Sequence, residues 1–473
     1  MNKAGKTRWL ICGLLFALVA LSYIDRLIIG ILKNPIGEKL GWSDADYGYI
    51  AAGFSYAYAF GYLFAGRAMD RLRVKRGLPI FFFVWCLAVA SHGLISFIGK
   101  DAVFRLNYPW FSWTEKGFQW ATLVMPMTAF GFVTARAVLG LAEGANFPAA
   151  IRTVAEWFPV KERALATGLF NAGTNVGAVL CPIAVPLIYR KIGWPMTFYL
   201  TGAMGFLWLI GWWFLYDEPE KHPMLKPDEL AYIRGGQPQV AQQTKRVPWL
   251  ALLRYRPVWA YLLASILAGP AWGFYQFFLP DFLQKRFHLK TLEETGLWTG
   301  LFFALTAIGG IFGGWLAGAL LNRGWQLNSA RKISLLICAL AVVPVFAAPF
   351  AGSVLLAVLI VGLAGAAHQG WSANLYSVVS DTMPRETVSS VIGLGGFVCY
   401  FTGGYISAKT GLIVEKTGSY VPVFAYFSCT YVISLLCVQF LVPKIGGNQP
   451  KPSEPVTAAL PPEPVSNRQK TIS

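Results

Sequence analysis

Residues 9–32 read WLICGLLFALVALSYIDRLIIGIL, an apolar run whose charged members are Asp25 and Arg26. A helix that crosses the roughly 30 Å hydrocarbon core of a bilayer needs about 20 such residues. Comparable runs recur from one end of the 473-residue chain to the other. Charged residues make up only 13% of the chain, against roughly 25% in soluble domains. The run therefore predicts the first of many spans in an all-α membrane protein.

The apolar runs predict twelve spans in two groups of six. The first group comprises residues 9–32, 45–66, 78–98, 120–148, 164–188 and 196–216. The second group comprises residues 257–282, 294–320, 332–350, 353–379, 388–411 and 421–442. Glycine and proline are frequent inside these runs, which neighbouring helices of a membrane bundle tolerate. The pattern predicts two six-helix bundles, residues 1–216 and 251–442.

A long polar stretch separates the two groups. Residues 217–250 contain several prolines among charged residues and predict a cytoplasmic linker. The tail at 443–473 is rich in Pro, Ser and Glu, which is typical of disorder. The basic start of the chain resembles a signal peptide, but the sequence shows no convincing small-residue cleavage site. We therefore expect the first run to be a span.

The positive charge of the chain lies mostly in short connections and in the tails. The net charge is +17, and five basic residues fall between 67 and 76, after the second span. Loops rich in Lys and Arg stay in the cytoplasm, so we expect both termini there, in a multi-pass protein of the cell membrane. This placement argues against nucleic-acid binding. The seven cysteines are scattered, and the four histidines lack His-x-x-x-His spacing, so the sequence indicates no metal site. We expect the protein to be a monomer without a cofactor.

Four ionisable residues lie well inside predicted spans: Asp25, Arg26, Arg136 and Glu143. A charge at the centre of such a helix costs about 2.5–3.5 kcal/mol, so four unpaired charges would cost roughly 10 kcal/mol. Arg136 and Glu143 are seven residues apart and share a helix face, whereas the neighbours Asp25 and Arg26 point about 100° apart. We expect the four side chains to face a shared chamber, with one of the first pair directed toward the fourth span.

Two interpretations of this set are open. The four residues could form structural ion pairs that fix the first and fourth spans. Alternatively, Arg26 receives a substrate carboxylate, which suits its planar guanidinium, and Asp25 and Glu143 exchange protons. An arriving anion would compete for the arginine, and the carboxylate that it displaces would take up a proton. This second interpretation predicts that a small organic anion and protons cross the membrane together.

Polar and aromatic side chains in other spans could complete a site for a hydroxyl-rich ligand. Ordinary hydrogen bonding and packing between helices would use the same residue types. The candidates are Tyr23, Tyr56, Tyr58, Asn171, Asn175, Tyr275, Gln276, His368, Gln369, Trp371 and Asn374. His368 could also titrate.

The longest motifs resemble hexuronate transporters, in the anion:cation symporter branch of the major facilitator superfamily. They are SYIDRLIIGILKNPI at 22–36, RAVLGLAEGANFPAAIRTVAEWFPVKERALATGLFNAGTNVGA at 136–178, AHQGWSANLYSVVSDTMPRETVSSVIGLGG at 367–396 and TGSYVPVF at 417–424. The similarity covers residues 8–443. It implies the twelve-helix major facilitator fold and proton-coupled import of a hexuronate such as glucuronate or galacturonate.

The resemblance also implies roles for matching positions. The residues matched to substrate contact are Tyr23, Arg26 and Tyr58. Those matched to proton transfer are Asp25 and Glu143, with Arg136 as the partner of a carboxylate. The turn after the second span, with Gly66, Asp70 and Arg71, matches the gating turn of the superfamily.

Three positions depart from the family pattern. Residues 73–75 read Arg-Val-Lys where the superfamily turn has Gly-Arg-Arg. Ser265 stands in place of a glutamine of galactonate-type relatives, and Tyr400, which we include in the predicted site, in place of an asparagine. Residues 100–118 resemble an inserted outer loop. These departures bear on gating and on the choice of sugar acid.

Other functions remain as alternatives. Galactonate, glucarate or tartrate could occupy the same site. A non-transporting sensor could use the same fold, although the four retained charges argue against it. A passive channel would line its pore with rings of charge. The sequence shows no catalytic triad, metal cluster or nucleotide-binding loop, so we predict a secondary transporter and not an enzyme.

Overall fold

The computed structural model describes residues 6–99, 101–112, 117–235 and 249–446. Its helices form twelve crossing segments, six in each half of the chain, as the apolar runs predict. The first half contains α1 (Thr7–Ile31), α2 (Lys33–Leu40), α3 (Asp44–Leu94), α4 (Met127–Glu143), α5 (Asn146–Trp157) and α6 (Val160–Leu215). By length and composition, nine described helices could cross a membrane.

The second half begins after a linker that holds α7 (Pro227–Gly235) and α8 (Trp249–Leu252). Its seventh span is divided into three helices, because Pro270 and Pro280 interrupt the run predicted at 257–282. The helices of this half are α9 (Arg256–Ala268), α10 (Pro270–Phe277), α11 (Leu279–Phe287), α12 (Leu292–Asn322), α13 (Leu327–Val342), α14 (Val354–Thr382), α15 (Arg385–Thr417) and α16 (Val421–Leu441). A 3₁₀ segment, Val343–Phe350, completes the ninth span.

Two long helices each contain two crossings. α3 breaks at Arg73, which has a φ of 57°, and α6 breaks at Gly193, which has a φ of 77°. Glycine adopts positive φ without strain, whereas a residue with a Cβ pays for it. Arg73 stands where the superfamily turn has glycine, so this departure places a strained residue at the connection between the second and third spans.

A β-hairpin follows the third span. β1 (Val103–Ser112) pairs antiparallel with β2 (Gly117–Pro126), in a register that sets Val103 opposite Pro126. The predicted fourth span at 120–148 is therefore wrong at its start. Its first residues belong to β2, and the helix begins at Met127, because Pro126 ends the strand. Hydropathy alone joined an apolar strand to the helix that follows it.

Glycines bring α4 into direct contact with α3. A Cβ at Gly140 would overlap the Phe54 carbonyl oxygen, and one at Gly144 would overlap the Tyr62 amide. Small residues allow membrane helices to approach this closely. The packing places Glu143, between these two glycines, deep in the first bundle, where its side chain is fully buried.

The linker helix α7 rests on the start of the first bundle. Arg8 contacts Glu229 and Glu162, each at 2.9 Å, and the Tyr232 hydroxyl donates to Glu162. Near the end of the described chain, the backbone amide of Ile445 donates a hydrogen bond to the side-chain oxygen of Asn328, at the start of α13. We call this end of the bundle the terminus end, and the end that carries β1 and β2 the hairpin end. Residues 447–473, most of the tail predicted to be disordered, lie outside the described residues.

Candidate functional site

A cavity of about 340 Å³ lies between the two halves. Helices α1, α3, α5 and α6 form its wall on one side, and α9, α10, α14 and α15 form it on the other. Among the described residues of this wall, Arg26 alone carries a full charge. The predicted site residues in the wall are Tyr23, Arg26, Tyr58, Asn171, Gln276, His368, Gln369, Trp371 and Tyr400.

Arg26 joins the cavity to the fourth span. Its guanidinium contacts Oε1 of Glu143 at 2.5 Å, and the Ser22 hydroxyl donates to the same oxygen. The guanidinium also lies 5.0 Å from the Tyr23 ring centre and 4.9 Å from that of Tyr58, distances at which a cation is attracted to the ring face. The arginine is thus held by groups that a ligand carboxylate could replace.

Asp25 points away from the cavity. The indole N–H of Trp85 donates to its Oδ2 over 3.0 Å, and Thr201 lies beside the carboxylate. Adjacent helical residues point about 100° apart, so a helix that turns Arg26 toward the cavity turns Asp25 into the bundle. Arg26 is the member of the pair that contacts the fourth span. The expectation that all four side chains face one chamber is wrong, because only Arg26 lines the cavity while Asp25, Arg136 and Glu143 are buried among the helices.

Arg136 contacts the backbone of Arg26 but does not line the cavity. It donates to the backbone carbonyls of Asp25 and Arg26, at 3.1 and 3.0 Å. Its guanidinium lies 4.7 Å from the Phe54 ring centre and 5.5 Å from that of Phe277, which comes from the other half. The resemblance implied a carboxylate partner for Arg136; in this structure it contacts two carbonyls of α1 instead.

The four ionisable side chains are all buried, and their formal charges sum to zero. Their residue exposures are 5% for Asp25, 3% for Arg26 and 0% for Arg136 and Glu143. Direct side-chain contact joins only Arg26 and Glu143 among the four, while Arg136 contacts the backbone of Asp25 and Arg26. In a low dielectric, a cluster of this kind favours any change that leaves its total charge at zero.

Aromatic and polar side chains form the wall on the side of the second half. His368 contacts the Tyr431 hydroxyl at 2.5 Å and stacks on Trp272 with ring centres 5.4 Å apart. Tyr400 packs against Tyr58 across the two halves, with ring centres 4.3 Å apart. Ser265, the other departure from the family pattern, also lines the cavity.

Several predicted site residues lie outside this wall. Tyr56 packs on Phe401 at 5.0 Å, and Tyr275 packs on Phe302 at 5.3 Å. Asn374 donates to two backbone carbonyls at 2.9 Å, and Asn175 lies off the wall on α6.

The predicted gating residues lie in α3, before its break at Arg73. Arg71 is exposed there. Gly66 has no side chain, and that of Asp70 falls outside the described ones. Their roles stay predictions.

Sequence reasoning missed four residues that hold the site. Ser22 lies one helical turn before Arg26, so its position on the same face could have revealed it. Trp85, Trp272 and Tyr431 gave no comparable signal, because aromatic residues are abundant in every span. Their roles depend on which helices meet, which the order of spans does not give.

Polar contacts between the halves cluster at the hairpin end. Lys33 contacts Asp281 at 2.6 Å, and Lys285 contacts Asp44 at 2.7 Å. The Tyr47 hydroxyl donates to the Phe277 carbonyl at 2.7 Å. From there the cavity wall continues to Tyr62, Asn146 and Tyr376, on the side of the terminus end.

A family model described as Major Facilitator Superfamily matches residues 14–408. A hexuronate transporter of Escherichia coli (strain K12) is 28% identical over 93% of this chain and 94% of its own length. A galacturonate transporter of Dickeya chrysanthemi is 29% identical over 72% of this chain and 91% of its own. An inward-open structure of the xylose transporter from E. coli has a TM-score of 0.68 at 12% identity, and covers 93% of this chain and 98% of that one. These findings confirm the predicted family and the twelve-helix fold.

Proposed function

Because the chain belongs to the major facilitator superfamily, we propose that it is a secondary transporter that carries a hexuronate across the cell membrane together with protons. The substrate would be a sugar acid such as glucuronate or galacturonate. The observation that carries the proposal is the position of Arg26. It is the one full charge among the described residues of the cavity wall, and it is held by a buried carboxylate.

Arg26 suits a single carboxylate. Its planar group can donate two parallel hydrogen bonds to a carboxylate, and Tyr23 and Tyr58 flank it. A second carboxylate on the same ligand would be buried in the cavity without a cation of its own, which is costly. The wall therefore favours an acid with one carboxylate and several hydroxyls.

Charge balance supplies the reason for proton coupling. A monoanion that binds Arg26 would leave the neutral cluster with one negative charge in a low dielectric. One proton on the displaced Glu143 restores zero. Its Oε2 is buried without a hydrogen-bond partner among the described residues, so it offers a site for that proton. Asp25 is the second proton carrier in this proposal, and Arg136 holds the α1 backbone between the two acids.

The transport cycle would alternate the two six-helix bundles, residues 1–216 and 251–442, around the cavity. The terminus end lies in the cytoplasm, with the linker at 217–250. Contacts at the hairpin end then close the outer side, while the cavity faces inward. Gly66, Asp70 and Arg71 would act in gating on the cytoplasmic side. The protein would work as a monomer, without a cofactor and without binding nucleic acid.

Two other functions are separated by one experiment. Galactonate, glucarate or tartrate could be the natural substrate, and a sensor would bind an acid without moving it. Purified protein is reconstituted in proteoliposomes, and uptake of labelled glucuronate is measured under a pH gradient with each acid as competitor. The proposal is supported if glucuronate and galacturonate inhibit this uptake more strongly than the other acids do. Absence of uptake for every acid would contradict transport.

A further inference from the structure

The part of the cavity wall that the second half supplies contains the polar residue His368, which contacts Tyr431 behind the wall. His368 lines the cavity and is 6% exposed, and Tyr431 behind it is fully buried. The described wall residues of this half include no Asp, Glu, Lys or Arg. Whatever part of a ligand meets this side is therefore neutral.

Hydrogen bonding fixes which nitrogen of His368 faces the cavity. Nδ1 lies 2.5 Å from the Tyr431 hydroxyl, and that hydroxyl donates to the Ala268 carbonyl at 3.2 Å. A hydroxyl has one hydrogen to give, so the tyrosine accepts from Nδ1. In the neutral imidazole the hydrogen then lies on Nδ1, and Nε2 is left as an acceptor.

The break in the seventh span supplies the acceptor for the tyrosine. The Trp272 amide donates to the Gly269 carbonyl, three residues back instead of four. The Ala268 carbonyl is thereby available to Tyr431. Trp272 in turn stacks on the imidazole with an angle of 5° between the ring planes. The imidazole is held both at its edge and on its face.

Gln276 provides the complementary donor. Its side chain is 2% exposed and lines the cavity, and its amide nitrogen has no hydrogen-bond partner among the described residues. A buried donor without a partner costs about 1–3 kcal/mol, so a bound ligand that satisfies it gains affinity. Helix α10, which carries Gln276, packs against α14, which carries His368.

We infer that His368, oriented by Tyr431, and Gln276 form a hydroxyl subsite that selects the neutral end of the substrate. A sugar hydroxyl donates to Nε2 of His368, and a hydroxyl oxygen accepts from the Gln276 amide. The carboxylate of the same molecule lies at Arg26. This inference rests on the proposed function and adds to it the residues that read the hydroxyl pattern. Tyr431 is a positioning residue.

The test compares glucuronate with hexuronates that each lack one hydroxyl. For the unsubstituted protein in proteoliposomes, we expect the KM of at least one deoxy compound to be about tenfold above that of glucuronate, the loss of roughly one hydrogen bond. In Tyr431→Phe and His368→Asn this ratio should fall to about 1–2, because Nε2 is misplaced or absent. His368→Gln places an amide atom near Nε2 and should keep part of the ratio.

Tyr426→Phe is the matched control, since Tyr426 lies on α16 and packs on Phe427 away from the cavity. It should keep the full ratio. If the ratio of the two KM values stays unchanged in Tyr431→Phe and His368→Asn, the inference is overturned, and the two residues have only a packing role. Equal KM values for every deoxy compound in the unsubstituted protein would overturn it as well. Failure of the unsubstituted protein to take up any hexuronate would instead overturn the proposed function, and this subsite with it.

Discussion

Arg26 contacts Glu143 at 2.5 Å, and of these two residues only the arginine lines the cavity. A ligand in the cavity therefore meets Arg26 and not Glu143. In the proposed mechanism, a ligand carboxylate that takes the guanidinium displaces Glu143, whose side chain is fully buried. In the proposed mechanism, this order of contacts would connect binding of an anion to uptake of a proton without requiring the substrate to touch Glu143.

We predict that the charge of Arg26 alone is not sufficient for binding. Lysine in its place keeps the charge but loses the planar pair of donors. We expect Arg26→Lys to raise the KM for glucuronate about tenfold to a hundredfold, from the loss of one charged hydrogen bond. Arg190→Lys is the control, because Arg190 is exposed and pairs with Glu293 at the surface. An unchanged KM in Arg26→Lys would show that a bidentate contact does not contribute to binding.

Tyr58 and Tyr56 lie on the same helix but in different surroundings. Tyr58 lines the cavity beside Arg26, whereas Tyr56 packs on Phe401. We expect Tyr58→Ala to raise the KM for glucuronate about tenfold, from the loss of a cation–π contact and of the cavity wall. Tyr56→Ala should lower the melting temperature with little change in KM. Equal effects on KM would mean that the cavity wall does not define the site.

Arg73 is predicted to be a point of strain. Its φ of 57° is one that glycine adopts freely, and its contact with Glu218 is a surface ion pair that contributes little. Arg73→Gly should stabilise the protein by about 1 kcal/mol, seen as a higher melting temperature in detergent. Arg76→Gly, three residues on within the helix, should destabilise it by about 1 kcal/mol. A lower melting temperature for Arg73→Gly would show that the side chain matters more than the turn.

The ion cluster at the hairpin end holds the two halves together. Asp281 is 1% exposed and contacts Lys33 at 2.6 Å and Lys285 at 3.3 Å. Asp281→Asn removes one of the two carboxylates that contact the buried Lys33, and Asp44 remains at 2.5 Å. We expect the loss to cost about 1.5–3 kcal/mol, the contribution of one charged hydrogen bond. Hydrogen exchange of α2 and α11 should accelerate by about tenfold or more. The exposed Glu294→Gln is the control, and equal exchange in both variants would exclude the cluster as a closing contact.

The spans were predictable because each must present about 20 apolar residues to lipid. The hairpin was not, since residues 120–126 are as apolar as a helix and end at a proline that hydropathy does not weigh. A strand of this kind is visible only through its pairing with Val103–Ser112.

The four buried charges were predictable as a set, because the cost of isolated charges in a bilayer requires them to meet. Their division of roles was not. Periodicity separates Asp25 from Arg26 by about 100° but does not say which one faces the cavity. Trp85 on the third span fixes that choice, and its position depends on how the helices pack.

The most direct test of the coupling is uphill uptake of labelled glucuronate into proteoliposomes under a pH gradient, compared between the unsubstituted protein and Asp25→Asn combined with Glu143→Gln. The account predicts accumulation by the unsubstituted protein only, with exchange of internal for external glucuronate kept in the double variant. Accumulation by the double variant at the unsubstituted level would contradict the claim that a substrate anion and a proton replace each other around Arg26.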